Sequence, residues 1–272
     1  AARAGGYSVR IVPNTSAELN SAQVLHNQLT GELGIELLLL KNGAKTQLAR
    51  TTWVQDVDAY AKRDFGRPHR DAFVGMLPPK LAQTMINLAP ANGRILDPFC
   101  GTGVILQEAL LMGHDVYGTD LADKMIDYSG VNLDWLKTTH HVTGKYEVEP
   151  GDAMDARWQQ PIDAVVCESY LGQPFSAPPS PSKLTEVRGN CNRIISTFLQ
   201  NIGSQIKPDT PLCIAIPAWQ STSGEFTHLP LIEDLEKLGY KQFEFKNVRN
   251  SELLYYRPDQ IVARELLVLT KI

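Results

Sequence analysis

The stretch "ILDPFCGTG", residues 95–103, runs from apolar residues through an acid into two glycines one residue apart. An apolar strand ending in Asp97, a turn holding Gly101 and Gly103, and an apolar helix from Val104 make the opening unit of a sheet that takes ligands at its carboxyl edge. The glycines permit close backbone approach, and the helix start offers unpaired N–H groups. Outward from this unit the pattern alternates. A helix at 79–88 precedes strand 94–97, followed by helix 103–112, strand 115–118, helix 122–135, strand 145–149, strand 164–167, helix 183–202 and strand 212–217. This rhythm predicts an α/β fold with a doubly wound, mostly parallel sheet. After a helix at 229–238, two strand-like runs, 241–248 and 262–271, leave little room for a helix between them, which predicts a C-terminal antiparallel β-hairpin.

Upstream lies a thinner pattern: strand 7–12, a helix from an Asn14/Ser16 cap region through Leu29, then strands 35–40 and 45–54. This small N-terminal α+β part, residues 1–62, is short for an independent domain. A polar connector, "DVDAYAKRDFGRPHRD", leads into the main domain, residues 63–272. The apolar content of 43% and charged content of 21% are those of a soluble globular chain. The longest apolar run, Ile35 to Leu40, is too short to cross a bilayer, and no signal-peptide pattern is present, so no membrane partner is expected. The chain starts at Ala1 rather than at a methionine, and earlier residues are expected. Cys100, Cys167, Cys191 and Cys213 are far apart and form no Cys-x-x-Cys pair, which points to reduced thiols in a cytoplasmic protein without a metal site. A net charge of −4 gives no overall basic field, so any nucleic acid must be held by local patches or by a part outside this chain.

Two further acids follow the pattern set by Asp97. Asp120 closes the second strand, 23 residues after Asp97, where an acid accepts from ribose hydroxyls. Asp152, in "PGDAMD" after the third strand, is placed to reach an adenine amine. With Pro98, Phe99, Cys100, Gly101 and Gly103 in the first turn, and Leu121 and Ala153 beside the later acids, they form the expected cofactor-binding set. Two cofactors fit a nucleoside reading. A nicotinamide dinucleotide would want a third glycine, but Ile105 and Leu106 follow Gly103. S-adenosylmethionine (SAM) carries an amino group and a sulfonium that suit a carboxylate-lined pocket.

The candidate acceptor site is "CESYLGQPF", residues 167–175, at the end of the fourth strand. Were the substrate an exocyclic amine, a poor nucleophile because its lone pair is delocalised into the ring, an acidic acceptor would be needed to hold its N–H. Glu168, Ser169 and Tyr170 are the catalytic candidates, with Glu168 as that acceptor and the Tyr170 ring as a stacking surface for a flipped-out base. Tyr170, Leu171 and Gly172 are candidate substrate contacts, together with Arg67 and Arg70 of the basic segment "RDFGRPHRD". The Pro- and Ser-rich "GQPFSAPPSPS" that follows reads as a flap or an inert surface loop. No cysteine is paired with a base, as carbon methylation of a pyrimidine would demand.

The run "RDFGRPHRDAFVGMLPPKLAQTMINLA" followed by "ILDPFCGTGVILQEALLMGHDVYGTD" resembles the class I SAM-dependent methyltransferases, and more narrowly the THUMP-domain tRNA methyltransferases that modify the N2 amine of guanosine at position ten. The resemblance implies a Rossmann-like fold and a tRNA or other RNA partner, and it places Asp97, Gly101, Gly103, Asp120 and Asp152 on cofactor-binding positions. It also makes "SVRIVPNTSAELNSAQVLHNQL" similar to the closing part of a THUMP module. Amino-group methyltransferases usually carry Asp or Asn, Pro, Pro and an aromatic after the fourth strand, and relatives of this family carry Glu-Pro-Tyr-Leu-Gly. Ser169 in place of proline is therefore the departure, and it removes a fixed φ. Three rival readings stand beside it: a methyltransferase fold that binds SAM or RNA without catalysis, methylation of ribosomal RNA, DNA or a small amine, and nicotinamide redox chemistry. Neither the target nucleotide nor the oligomeric state is legible here.

Overall fold

The computed structural model describes residue 6 and residues 8–71, 76–258 and 260–272. The chain divides into two compact units, residues 1–66 and 67–272.

In the first unit, α1 (Ser21–His26) is capped by Asn20, whose side chain accepts from the Gln23 amide. The strands β1 (Leu37–Asn42) and β2 (Lys45–Arg50) form an antiparallel hairpin, and α2 (Val57–Phe65) starts at an Asp56 cap. Several expectations change here. Residues 8–12 form no strand, Tyr7 lying outside the described residues, because the unit's sheet has two strands paired to each other. The first helix is confined to six residues after the Asn20 capping box, and the second strand stops at Arg50. Part of the polar connector winds into α2, because Asp56 satisfies the Ala59 amide and so starts a helix.

The second unit carries the predicted alternation. Its helices and strands are α3 (Pro79–Leu88), β3 (Ile95–Asp97), α4 (Val104–Leu111), β4 (Val116–Asp120), α5 (Asp123–His140), β5 (Tyr146–Pro150), β6 (Ala164–Glu168), α6 (Pro181–Gly203) and β7 (Pro211–Gln220). They are followed by the short β8 (Phe226–Thr227), β9 (Tyr240–Gln242) and β10 (Leu254–Tyr255), and by the long β11 (Val262–Lys271). Strands β5, β4, β3, β6 and β7 are parallel in that spatial order, and β11 runs antiparallel on β7 with β9 and β10 on its far side. The mostly parallel sheet with antiparallel C-terminal strands is thus present. Its hairpin differs in detail: of the run 241–248, Lys241 and Gln242 are in register with β11 and the Phe243 amide adds one bond to the Val268 carbonyl, and the helix expected at 229–238 is a 3-10 turn at Pro230–Asp234. Pro230 sits at the start of that turn, and the chain closes back through Gly239, whose φ of +87° ends any helix.

Side-chain alternation explains why the sheet is buried on both faces. Along β6, Val165 and Cys167 pack with Ile195, Phe198 and Leu199 of α6, while Ala164 and Val166 pack with Met85, Leu106 and Leu110 of α3 and α4. Chain order reverses direction between β3 and β6, so the carboxyl ends of these two neighbours flank a crevice. Among the described residues, no helix is long and apolar enough to cross a membrane.

The lead-in segment of this unit is fastened to α5. Asn132, fully buried, accepts from the His69 amide at 2.9 Å and donates to the His69 and Thr102 carbonyls, each at 2.9 Å. The His69 ring stacks on Tyr128 at 4.2 Å. One amide side chain therefore ties the lead-in and the glycine turn to the same helix. Asn132→Ala leaves three buried backbone groups unpaired and is expected to cost about 2–4 kcal/mol, read as a lower denaturation midpoint at unchanged slope.

Candidate active site

Three strand ends repeat one local device. Asp97 Oδ1 accepts from the Phe99 amide at 3.1 Å, Asp120 Oδ1 from the Ala122 amide at 3.0 Å, and Asp152 Oδ1 from the Met154 amide at 2.9 Å. Each acid bonds the N–H two residues downstream, which turns the chain out of the strand and holds the carboxylate at the sheet edge. Asp120 Oδ2 also accepts from the Gly101 amide at 2.9 Å, joining the first loop to the second. Gly103, at φ +79°, precedes α4 in a left-handed conformation, and a Cβ there would lie 3.0 Å from Ser129 Oγ.

Beneath these loops the electrostatics are unbalanced. Asp97 is 2% exposed, and burial pushes its pKa well above the usual 3.8, with the Phe99 amide opposing and Asp120 and Glu168 adding to the rise. Burial also raises Glu168, against the opposing pull of Arg264. A small cavity of about 30 Å³ lies among Asp97, Phe99, Cys100, Gly101 and Glu168. Burying the Asp97 carboxyl beside a cavity is unfavourable unless a cation enters it, so this pocket suits an ammonium or sulfonium.

Beside it opens a cleft of about 740 Å³, within the size range of small-molecule sites. Pro98, Phe99, Asp120, Leu121, Asp152 and Ala153 line one part of it, and Glu168, Ser169, Tyr170, Leu171 and Gly172 line another. Of the expected cofactor residues, Pro98, Phe99, Asp120, Leu121, Asp152 and Ala153 therefore share one cavity with the acceptor-loop residues, whereas Asp97, Cys100 and Gly101 line the smaller one. Tyr170 is 42% exposed and offers its ring to the cleft, whereas Ser169 is buried, with its amide and its hydroxyl both donating to the Ala215 carbonyl at 2.9 Å. That double bond pattern pins the loop without a proline. Residues 172–180 of the flap form neither helix nor strand, and Gly172 takes a φ of +83°.

Arg67 and Arg70 are not brought to this cleft. Arg67 is 4% exposed, and the Arg70 guanidinium lies 3.2 Å from Met76 Sδ. The basic segment is packed against α5, through His69 and through an Asp71–Lys124 ion pair at 2.8 Å. Two cationic side chains that the sequence reading passed over do line the cleft: Arg193 of α6 and Arg264 of β11. Arg264 and Glu265 are charges inside an otherwise apolar strand, the one signal that marked this place. All four cysteines are free and buried, and burial raises their pKa values, to about 11 for Cys191 and about 12 for Cys213. None is poised as a thiolate. Among the described residues no three metal-ligating side chains cluster.

Residues 67–191, which contain all three aspartates and the acceptor loop, match the family described as UPF0020, RMKL-like, methyltransferase domain. A tRNA (guanine(10)-N2)-dimethyltransferase of Pyrococcus abyssi is 41% identical over 188 residues, 64% of this chain and 51% of that one. A probable tRNA (guanine(10)-N2)-dimethyltransferase of Methanothermococcus thermolithotrophicus is 30% identical over 141 residues, 50% of this chain and 78% of that one. The chain belongs to this tRNA guanine-N2 methyltransferase family. It spans about half the length of the curated relatives that it matches at above 35% identity. TrmN from Thermus thermophilus superimposes with a TM-score of 0.53 at 17% identity, covering 88% of this chain and 60% of that one, which shows the Rossmann-like methyltransferase fold.

An acid as buried as Asp97 weighs on stability. A carboxyl with a raised folded-state pKa favours the fold fully when protonated, below 3.8, and that contribution is lost as pH rises through the folded value. Asp97→Asn is therefore expected to stabilise the free protein, by about 1–3 kcal/mol at neutral pH and progressively less toward pH 4. Thermal melts of both proteins across this range check it, and equal melting shifts at every pH would contradict it.

Proposed function

We propose that this chain is the catalytic part of a SAM-dependent methyltransferase acting on the exocyclic amine of a guanosine in tRNA. The observation that carries the reading is the shared cleft: Glu168 and Tyr170, at the end of β6, open onto the same cavity as Asp120 and Asp152, with Asp97 beneath. Bound SAM would supply the methyl group from its sulfonium. Asp97 and the small cavity suit its amino group, because a cation there offsets the buried Asp97 carboxyl. Asp120, with each oxygen already oriented by one backbone amide, keeps lone pairs for ribose hydroxyls. Asp152 and the apolar Phe99, Leu121 and Ala153 suit an adenine.

On the acceptor side, Tyr170 stacks on a base turned out of the RNA, and Glu168 accepts one N–H of its amine. That hydrogen bond draws the amine toward pyramidal geometry and gives the released proton a nearby oxygen, while orientation in the cleft supplies much of the rate. Ser169 acts through the backbone, holding the loop to the Ala215 carbonyl where relatives would use proline. This pinning favours a working site over a non-catalytic one. Arg193, exposed at the cleft wall, is suited to a phosphate of the same nucleotide. The names of the relatives, tRNA (guanine(10)-N2)-dimethyltransferases, support tRNA as the substrate. The N-terminal unit fits the closing part of a THUMP-like module, since its hairpin leaves Leu37, Leu39, Leu40 and Leu48 exposed for such a module to cover. The four free thiols suit a cytoplasmic location.

The test is methyl transfer from labelled SAM to unmodified tRNA by the full-length protein, followed by digestion to nucleosides. Label in N2-methylated guanosine is expected, and Glu168→Ala should lower kcat by about 100-fold or more at nearly unchanged SAM affinity. Label in another nucleoside, or none with SAM bound, would overturn the assignment.

A further inference from the structure

Glu168 is one methylene longer than the aspartate or asparagine expected at such a position, and its reach is set by a residue two strands away. β7 runs between β6 and β11, which places the outer two roughly 10 Å apart. Glu168 is in register with Ala215 of β7, and Arg264 with Pro217 of the same strand. Ala215 and Pro217 share one face, and both are small enough to be crossed. Over them Arg264 Nε donates to Glu168 Oε1, with both side chains nearly buried at 7% and 13% exposure. The neighbouring charge of β11, Glu265, is engaged elsewhere, its Oε2 lying 2.7 Å from His228 Nδ1. Arg264 also lines the acceptor cleft.

Building on the methyltransferase reading, we propose that Arg264 is a positioning residue that draws the Glu168 carboxylate back across β7 and leaves its second oxygen, Oε2, for the acceptor amine. Oε1 is occupied by the guanidinium, so a single acceptor geometry remains. The long side chain at 168 and the arginine at 264 thus act as a pair, each sized to the other. The charged groups facing Glu168 are Arg264 from β11 and Asp97 from the end of β3, and Asp120, Asp152 and Arg193 line the same cleft. Removing Arg264 leaves burial unopposed, so Glu168 must then ionise at higher pH.

The experiment uses the full-length protein and its Arg264→Met variant, or Arg264→Gln should the methionine variant not fold. Two quantities are read across pH: the titration of the Glu168 carboxyl by carbon-13 NMR, assigned by its loss in Glu168→Gln, and kcat for methyl transfer to tRNA. Both are expected to move together. The carboxyl titrates at higher pH in the variant, the acid limb of kcat moves with it, and kcat at neutral pH falls by about 10-fold or more while raising the pH restores part of it. SAM affinity, measured by equilibrium dialysis, stays near the wild-type value. A uniform loss at every pH with an unmoved Glu168 titration would overturn the proposal and leave Arg264 a packing residue. The carboxyl titration tests the pairing without turnover, so absent transfer by the wild-type protein would refute the methyltransferase reading separately.

Discussion

Three aspartates each give one carboxylate oxygen to the amide two residues downstream, and the rest of the site depends on this constraint. A strand left to itself would carry its last side chain past the sheet edge. Asp97 and Asp120 close β3 and β4, Asp152 follows β5 by two residues, and the turns they make hold their carboxylates at the sheet edge. The Gly101 amide on Asp120 then locks the first loop to the second. Fixed acceptors of this kind need no reorganisation when a polar ligand arrives, which is how a rigid sheet becomes a binding surface.

The arrangement works against stability. Asp97 lies beneath two other acids, in a place where an apolar residue would pack more favourably, and its raised pKa records that conflict. Glu168 faces the same difficulty and is relieved only in part by Arg264. Buried charge tolerated at a sheet edge marks a place shaped for a ligand, where function and folding pull in opposite directions.

The central sheet was legible because its signals are local. An apolar strand, a glycine turn and a helix start follow one another within "ILDPFCGTG", and α3 at Pro79–Leu88 was read to its last residue from its proline start and apolar spacing. The acids were legible for the same reason, since each strand end carries its own. What escaped was set by distant residues. Residues 241–248 have the composition of a strand, but their backbone pairing with β11 ends at Phe243. The basic segment around Arg67 reads as a surface patch until Asn132 and Tyr128 of α5 are seen to hold it down. Arg264 lies 96 residues from the carboxylate it touches, a separation that no spacing rule reaches.

The division of the cleft has an evolutionary reading. The groups suited to the cofactor come from one continuous stretch, Asp97 to Met154, and those facing the acceptor come from Glu168, α6 and β11. Substitutions in the later stretch can redraw what is accepted while the earlier one keeps its inherited task. The two halves meet at Glu168, beside Asp97 below and within reach of Arg264 across β7. On the proposed pairing of Glu168 with Arg264, new acceptor preferences arise without reinvention of the donor half when a change at position 168 is accompanied by one at position 264.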